Sequence, residues 1–268
     1  KPKDPLPPKP SPEPEPKPEP KPEPIDALVA WYPFNGNARD YSGQGNHGTV
    51  HGAKPTADHR GQSGGAYYFD GKNDRIVVKH SASLNPKDQM TLAAWIKFDD
   101  YTNVWSPLVH KGGDKLSGCS NREYSLWLNN RSFLHFTSAG NGSSQKTYDQ
   151  TIQKGSWFHY AVSLDRRNKK LVIYLNGKKT LERTDPYSNF NNNEHDLFFG
   201  STIEQHPSYS NFRGSLDEVR IYVRSLSQEE IQGILKEQPK PIDLRAGLLA
   251  HYPYTGNAKD HSGNGHHL

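Results

Sequence analysis

Most of this chain consists of short alternating β-type runs separated by turn-forming residues, and this pattern limits the fold more than any other feature. Alternation is clear in segments 158–164 and 171–175, whose successive side chains can face opposite sides of a sheet. Asn176-Gly177 can adopt the positive φ angles of a tight type I′ hairpin turn, and Asn129-Asn130 indicates another turn. The predicted strands are Leu28–Phe34, Gly48–His51, Ala66–Phe69, Arg75–Lys79, Thr91–Phe98, Trp105–His110, Tyr124–Asn129, Phe133–Thr137, Trp157–Leu164, Lys170–Leu175, Lys178–Arg183, Asp196–Gly200 and Gly214–Tyr222. With no βαβ periodicity, they predict an all-β jelly-roll sandwich of two antiparallel sheets.

One segment has helical spacing. Ser227 precedes Ile231, Ile234 and Leu235, and Glu230 follows Ser227 by three residues. Serine with a glutamate three residues later is the signature of a capping box, so we expect a short helix at the C-terminal end of the domain.

The start of this domain pattern recurs 220 positions later. The residues that recur are Leu28, Ala30, Tyr32, Pro33, Gly36, Asn37, Ala38, Asp40, Ser42, Gly43, Gly45 and His47, matched by Leu248, Ala250, Tyr252, Pro253, Gly256, Asn257, Ala258, Asp260, Ser262, Gly263, Gly265 and His267. Because so long a period requires a whole domain per unit, we expect a tandem array. Residues 25–238 form one domain, 239–247 a linker, and 248–268 the truncated start of a second repeat.

Residues 1–24 alternate proline with lysine and glutamate and hold more than half of the chain's 21 prolines. They offer no apolar surface to offset the entropy of ordering, so they are predicted to be an extended linker. A docking segment for a proline-recognition domain is the alternative.

Composition excludes several function classes. A net charge of +4 without a long basic run argues against nucleic-acid binding. No apolar stretch approaches the roughly 18 residues that cross a membrane, so we expect no membrane insertion. A single cysteine, Cys119, excludes an intrachain disulfide and is expected to be a surface thiol.

Six motifs, in order, resemble the laminin-G-like, concanavalin A-like jelly-roll family of bacterial extracellular proteins. They span Leu28 to Leu235 and are Phe34–Gly43 with Asn46-His47-Gly48, Tyr68–Gly71 with Asp74 and Val77, Thr91–Lys97, Trp157–Val162, Leu175-Asn176-Gly177, and Gly214–Tyr222 leading to Leu226-Ser227. The resemblance implies a concanavalin A-like sandwich and a non-catalytic carbohydrate-binding or adhesion module of a secreted or surface protein. Its expected partners are a polysaccharide or surface glycoprotein and adjacent repeats of the same chain. A structural spacer and an accessory domain of a polysaccharide-degrading enzyme are the alternatives.

A calcium site is expected around Asp40 and Asn46, whose loop also offers carbonyl oxygens, the ligands that Ca²⁺ prefers. Similar domains often hold a structural calcium where this loop meets the last strand, which implies Asp217 as a ligand, with Asp74 as a further candidate. In the alternative, Asp40 and Asn46 make turn hydrogen bonds to the backbone and Asp217 pairs with an arginine. Asp217, expected on the same face as Val219 and Ile221, needs one of these partners if it is buried.

Catalytic motifs are incomplete. Glu194-His195-Asp196 begins the carboxylate pattern of the family's glucanases, but the final acid is missing. Zinc-protease, nucleophile-elbow and phosphate-loop motifs are absent from the sequence, and only His47 and His51 are close enough in sequence to suggest a transition-metal site. We therefore expect no enzymatic activity.

Aromatic residues in polar loops are the candidate ligand-binding residues. Flat apolar rings beside amide and hydroxyl groups can stack on sugars and hydrogen-bond to them. The candidates are Tyr101, Trp105, Tyr148, Tyr187, Phe190 and Tyr209, whereas Trp95, Trp157 and Phe158 occupy alternating strand positions and are expected in the core.

Overall fold

The structure, a computed structural model, describes residues 27–113, 122–138, 144–147, 152–185, 190, 192–203 and 208–237. These residues form two antiparallel β-sheets, a 3₁₀ turn at Ala82–Leu84 and an α-helix, α1 (Gln228–Lys236). The predicted linkers 1–24 and 239–247, the predicted repeat 248–268 and Cys119 lie outside the described residues.

Sheet A has eight strands. In chain order they are β1 (Leu28–Tyr32), β3 (Lys54–Thr56), β4 (Ala66–Asp70), β6 (Gln89–Asp100), β11 (Phe158–Asp165), β12 (Lys170–Leu175), β13 (Lys178–Thr184) and β15 (Arg213–Tyr222). Their spatial order is β13-β12-β11-β6-β15-β4-β3, and β1 pairs with the second half of β15.

Sheet B has seven strands. They are β2 (Gly48–His51), β5 (Arg75–Val78), β7 (Trp105–Gly112), β8 (Arg122–Asn129), β9 (Phe133–Ser138), β10 (Ser144–Thr147) and β14 (Leu197–Phe199). Their spatial order is β10-β9-β8-β7-β14-β5-β2. The crossovers between distant strands make this a jelly-roll sandwich, which confirms the predicted fold class.

The main core lies between the two sheets. Alternate residues of β6, including Leu92 and Ile96, face alternate residues of β8 and β9, including Leu126 and Phe136. This alternation leaves the other face of each sheet for polar and aromatic side chains, and the sites described below lie on those outer faces.

Helix α1 covers part of the outer face of sheet A. Ile231 and Ile234 pack in a second apolar cluster with Ala93 and Val172. The predicted capping box is confirmed, because Ser227 Oγ accepts from the Glu230 amide while the Glu230 side chain accepts from the Ser227 amide. Among the described residues, no helix is both long and apolar enough to span a membrane.

Two short strands were not predicted from the sequence. β3 contains Pro55, which removes one backbone donor, and β10 (Ser144–Thr147) has no apolar residue. Both lie at sheet edges, where pairing on one side is enough to hold a strand.

A β-bulge corrects the predicted orientation of Asp217. The register of β15 shifts between Asp217 and Arg220, and Glu218 between them has φ 49°. Val219 and Ile221 therefore face the core, whereas Asp217 lies on the outer face against His59.

The predicted core positions of Trp95 and Trp157 are also corrected. Both are only partly buried, and Trp95 lies on the outer face of sheet A because its neighbours Ala94 and Ile96 point into the core. Phe158 is in the core, as predicted.

Candidate functional site

Three loops meet at one edge of the sandwich: 101–105, 129–132 and 208–212. Trp105 and Tyr209 form a parallel β-bridge, in which the Trp105 amide donates to the Ser208 carbonyl at 3.0 Å and the Ser210 amide to the Trp105 carbonyl at 3.1 Å. The Asn130 amide donates to the Val104 carbonyl at 3.0 Å. These backbone bonds hold the edge in one arrangement, which we call the aromatic edge.

Aromatic rings continue from this edge onto the outer face of sheet B. The Trp105 ring lies 4.9 Å from the His135 ring and 5.7 Å from Phe133. The Tyr209 ring lies 4.8 Å from the ring of Trp127. Trp105 and Tyr209 are partly exposed, so an aromatic surface is accessible at the edge and continues into a buried floor.

Arg122 supplies a cation to this floor. Its guanidinium group lies 4.5 Å from the centroid of the Trp127 ring, 6.0 Å from that of Tyr209, and donates to the Tyr209 hydroxyl at 3.0 Å. Thr137 Oγ1 accepts a second hydrogen bond at 3.4 Å. Stacking on two rings and two directed bonds fix the orientation of the guanidinium plane.

Tyr101 completes the edge from the loop after β6. Its ring packs 5.3 Å from Phe98, and its hydroxyl forms a hydrogen bond with Ser132 Oγ. Val104, next to it, is 37% exposed. The edge therefore combines apolar surface with hydroxyl and amide groups, a mixture suited to sugar rings.

The structure brings together three of the six predicted aromatics: Tyr101, Trp105 and Tyr209. Phe190 differs from the prediction, since it is 5% exposed and the Arg166 guanidinium covers its ring at 4.0 Å. Tyr148 and Tyr187 lie outside the described residues.

Sequence reasoning missed Arg122 and Trp127. In a regular strand, two residues five apart face opposite sides. A register shift in the pairing of β7 with β8, where Gly112 lies opposite Arg122, turns Arg122 to the face of Trp127. Alternation could have placed Trp127 on the face of β8 opposite to that of Leu126 and Leu128. The bulge beside Arg122 has no comparable signal in the sequence.

The predicted calcium ligands Asp40 and Asn46 lie together in one loop. The Asp40 carboxylate accepts from the amides of Trp31 and Asn46, both at 2.9 Å, and from the amide and hydroxyl of Ser42, both at 2.8 Å. The Asn46 amide group donates to the Val29 carbonyl at 2.7 Å. Four bonds occupy the acceptor positions of a carboxylate, so these contacts favour the turn alternative.

Asp74 and Asp217 lie elsewhere. Asp74 accepts from the Asp70 amide at 2.9 Å. Trp31, whose amide donates to Asp40, lies opposite Arg220 on β15 and not opposite Asp217. Asp217 instead contacts Nδ1 of His59 at 2.5 Å, so its partner is a histidine and not the predicted arginine.

His59 and Asp217 form a buried cluster on the outer face of sheet A. The His59 ring stacks on Trp95 at 4.1 Å with an interplanar angle of 10°. Asp58 lies beside them, and one ligand atom from each of Asp58, His59 and Asp217 lies within 4.8 Å of the others. Burial is the main cause that raises the pKa of Asp217 to about 6, with a smaller raising effect of the Glu218 charge and an opposing, lowering effect of His59.

Two further histidines are completely buried. His110, on the outer face of sheet B, shares a 2.8 Å hydrogen bond with Ser125 Oγ. Burial, together with a smaller effect of the Arg122 charge, lowers the pKa of His110 to about 3. Burial also lowers the pKa of His159 to about 3. Both imidazoles are therefore neutral near pH 7.

A two-sheet jelly roll with an aromatic edge defines a lectin-like β-sandwich. The sequence pattern of the concanavalin A-like lectin/glucanases superfamily matches residues 69–232, more than half of the chain. The chain belongs to this superfamily, and the family resemblance seen in the sequence is confirmed.

Several solved structures share the fold. Domain 4 of AbnA, a GH43 extracellular arabinanase from Geobacillus stearothermophilus solved with arabinotriose, has a TM-score of 0.60 and 20% identity, covering 78% of this chain and 98% of that one. The binding domain of Paraclostridial Mosquitocidal Protein 1 has a TM-score of 0.63 and 18% identity, covering 78% and 52%. A botulinum neurotoxin type C structure, reported with cell entry dependent on two ganglioside molecules, has a TM-score of 0.60 and 15% identity, covering 78% and 51%.

A curated relative is the non-toxic nonhemagglutinin type C of Clostridium botulinum C phage. It is 21% identical over 119 residues, which are 44% of this chain and 9% of the relative. The chain thus spans less than a tenth of the length of this relative. The matches to the solved structures, at TM-scores of 0.60 and 0.63, establish the shared fold.

Proposed function

We propose that this domain is a non-catalytic carbohydrate-binding module whose ligand stacks on the aromatic edge. The observation that carries the proposal is the joining of Trp105 and Tyr209 by a β-bridge, with the Arg122–Trp127 pair beneath Tyr209. Two proteins with this fold support a glycan as the ligand class: the arabinanase domain was solved in complex with arabinotriose, and cell entry of the botulinum neurotoxin type C depends on interaction with two ganglioside molecules.

The edge matches the chemistry of a sugar. A pyranose or furanose ring has apolar C–H faces that pack on aromatic rings, while its hydroxyls need hydrogen-bond partners around the rim. Trp105 and Tyr209 offer the rings. Thr102, Asn103 and Ser210, all partly exposed, place hydroxyl and amide groups in the same loops. Within the protein, Ser210 Oγ donates to Thr102 Oγ1, which donates to the Asn211 carbonyl, so a sugar would share or replace these bonds.

The finer assignment is a polysaccharide or surface glycoprotein bound by a secreted or surface-attached protein. Single sites of this kind gain strength when repeated, since a second site on one chain raises the effective ligand concentration to roughly millimolar. The predicted adjacent repeat would supply that second site. An adhesion role follows from the same multivalent contact.

The incomplete carboxylate pattern supports the non-catalytic part of the proposal. Asp196 accepts from Lys79 Nζ at 2.9 Å and from the His80 amide at 2.8 Å, an arrangement that satisfies a structural carboxylate. A bound Ca²⁺ stays a prediction of the sequence, which the chelator experiment in the Discussion tests.

The test is binding to a glycan array and to insoluble polysaccharides. The wild-type domain should be retained, and the Trp105→Ala/Tyr209→Ala variant should lose retention. Tyr68→Ala is the matched control, because Tyr68 is a half-buried tyrosine on β4 of the other sheet. A reducing-sugar assay runs beside it.

Each outcome separates the alternatives. Retention of the wild type with loss in the double variant supports the module. No retention of the wild type supports a structural spacer. Sugar release by the domain alone would overturn the non-catalytic assignment, and a catalytic domain in the same full-length protein would support the accessory role.

A further inference from the structure

The cluster of Asp58, His59 and Asp217 lies on sheet A, whereas the aromatic edge and its buried floor lie along sheet B. One ring nitrogen of His59 and one oxygen of each carboxylate lie within 4.8 Å of one another. Within the described ranges, this is the one place where three such groups approach so closely. An imidazole nitrogen with two carboxylate oxygens is a common ligand set for Zn²⁺ and related transition-metal ions.

The charge of the cluster calls for a cation. The His59 and Asp217 side chains are 5% and 2% exposed, and Asp58 is buried as well. The cluster thus holds two buried carboxylates beside one imidazole. Basic side chains of the neighbouring segments have other partners: Arg220 pairs with Glu218 and Glu237, Lys97 lies over the Trp157 ring, and Arg60 donates to the Glu237 carbonyl. A divalent ion would balance the charge.

Acceptor atoms remain available for a metal. Asp58 Oδ1 accepts from the amides of Arg60 and Gln62, at 2.8 and 2.7 Å, which leaves Oδ2. Asp217 Oδ2 meets His59, which leaves Oδ1. Neither remaining oxygen has a hydrogen-bond donor within the described part of the chain, and buried His59 Nε2 is also without a partner there.

The ligands are held in place by their surroundings. Asp217 lies on the central strand β15, opposite Trp95 on β6. The stacked Trp95 ring fixes the plane of the His59 imidazole, and the Trp157 ring lies edge to face with it at a centroid distance of 6.5 Å. Two backbone amides hold Asp58. Such prior ordering lowers the entropic cost of binding an ion.

We propose that Asp58, His59 and Asp217 bind one divalent transition-metal ion of the zinc type. The ion takes the place of the proton shared by His59 Nδ1 and the Asp217 carboxylate, and Asp58 Oδ2 is the third protein ligand. In a tetrahedral site, bonds of about 2.0–2.1 Å place ligand atoms roughly 3.3 Å apart, so the 2.5 Å contact opens and the longer separations close. A water molecule fills the fourth position.

The ion would connect two segments of the domain, because its ligands belong to the loop that starts at Asp58 and to strand β15. Arg60 in the same loop donates to the Glu237 carbonyl at the C-terminal end of α1. Metal binding should therefore stabilise the contact between this loop and the end of the helix.

The experiment uses the full chain after chelator treatment, with ZnCl₂ and CoCl₂ as probes. Calorimetry should show one tight site per chain, the melting temperature should rise by a few degrees with saturating Zn²⁺, and Co²⁺ should give the absorption bands of a tetrahedral site. Asp217→Asn and His59→Arg should abolish all three signals.

Two variants serve as controls, one for misfolding and one for metal binding at other histidines. His59→Arg removes the imidazole ligand but can still pair with Asp217, so it should fold. His51→Asn removes an exposed histidine of β2 and should leave the site intact.

Three outcomes would overturn the proposal: no Zn²⁺ effect on wild-type melting, Zn²⁺ binding that survives His59→Arg, or equal binding of Ca²⁺ that depends on Asp217 alone. The first would leave a hydrogen-bonded histidine–aspartate pair, and the third a hard-cation site.

Discussion

The Arg122 guanidinium group donates a hydrogen bond to the Tyr209 hydroxyl at 3.0 Å while it stacks on the ring of Trp127. This bond orients a partly exposed ring that packs on the buried Trp127 in the floor of the candidate site. The orientation of a ligand-contacting ring thus depends on a residue from a different strand, and substitutions can separate the two contributions.

Substitution of Tyr209 should separate ring stacking from ring positioning. Tyr209→Ala removes the stacking surface, so the affinity for a glycan identified on the array should fall about tenfold or more. Tyr209→Phe keeps the ring and loses the bond to Arg122, so the affinity should fall only a few-fold. Calorimetric titration measures both. Equal losses in the two variants would mean that the hydroxyl itself contacts the ligand.

Asp40→Ala should destabilise the domain by about 2–4 kcal/mol, because three backbone amides and one hydroxyl lose a charged acceptor. Urea unfolding measures the change. Asp100→Ala, which removes an exposed ion pair with Lys154, is the control and should cost much less than Asp40→Ala.

The wild type and Asp40→Ala together test whether Ca²⁺ binds at this loop. If Asp40 only accepts turn hydrogen bonds, EDTA should leave the melting temperature of the wild type unchanged. An ion present at 100 times its dissociation constant would contribute about 2.7 kcal/mol. A fall in melting temperature with EDTA that disappears in Asp40→Ala would therefore establish Ca²⁺ at this loop.

Gly200→Ala should destabilise the domain more than Gly155→Ala. Both glycines have φ 78°, but an added methyl group at Gly200 overlaps the Phe69 ring, whereas the space at Gly155 is open. We expect about 1 kcal/mol for Gly155→Ala from backbone strain alone, and about 3 kcal/mol or more for Gly200→Ala. Urea unfolding measures both variants. Equal losses of unfolding free energy would show that the core side chains around Phe69 rearrange to accommodate the added methyl group.

His110 should make the folded state sensitive to mild acid. Because its pKa in the folded protein is about 3 and its ordinary value is 6.5, only the unfolded chain takes up this proton below pH 6.5. Stability should fall as pH decreases, by about 1.4 kcal/mol per unit for this group, or about 2 kcal/mol between pH 6.5 and 5.

His110→Gln should remove that share of the pH dependence. The buried His159 and Asp217 titrate in both proteins, so their effects cancel in the difference. Unfolding free energies at pH 7.5, 6 and 5 measure it. Parallel curves for wild type and variant would show that His110 is protonated in the folded state.

The sequence predicted the elements that follow simple periodicity. The hairpin at Asn176-Gly177 is confirmed, with φ 49° and 74°, and so is the capped helix α1. These features depend on a few neighbouring residues, so local patterns are enough to find them. The sequence of β10 shows no alternation of apolar and polar residues. At the edge of a sheet, backbone hydrogen bonds to one neighbouring strand are enough to hold a strand, so no such pattern is needed.

The site was predictable only in part. Trp105 and Tyr209 stood out as aromatics in polar loops, but their bridge joins parts of the chain that no local pattern connects. Sequence analysis missed Arg122 and placed Asp217 on the wrong face of its strand for the same reason. Each lies beside a β-bulge, which reverses the face of the sheet on which a side chain lies. A shift of one residue in register inverts every orientation inferred from alternation.

Strand β15 also determines how this domain can meet a ligand. Its first residue, Arg213, lies opposite Asp100, next to the aromatic edge, and its last, Tyr222, lies opposite Leu28, where the described chain enters the domain. Ten residues at about 3.3 Å each separate these ends by roughly 30 Å. The aromatic edge therefore lies at the opposite end of β15 from Leu28. A large, immobile polymer can contact that end of the domain without approaching the end at which Leu28 lies.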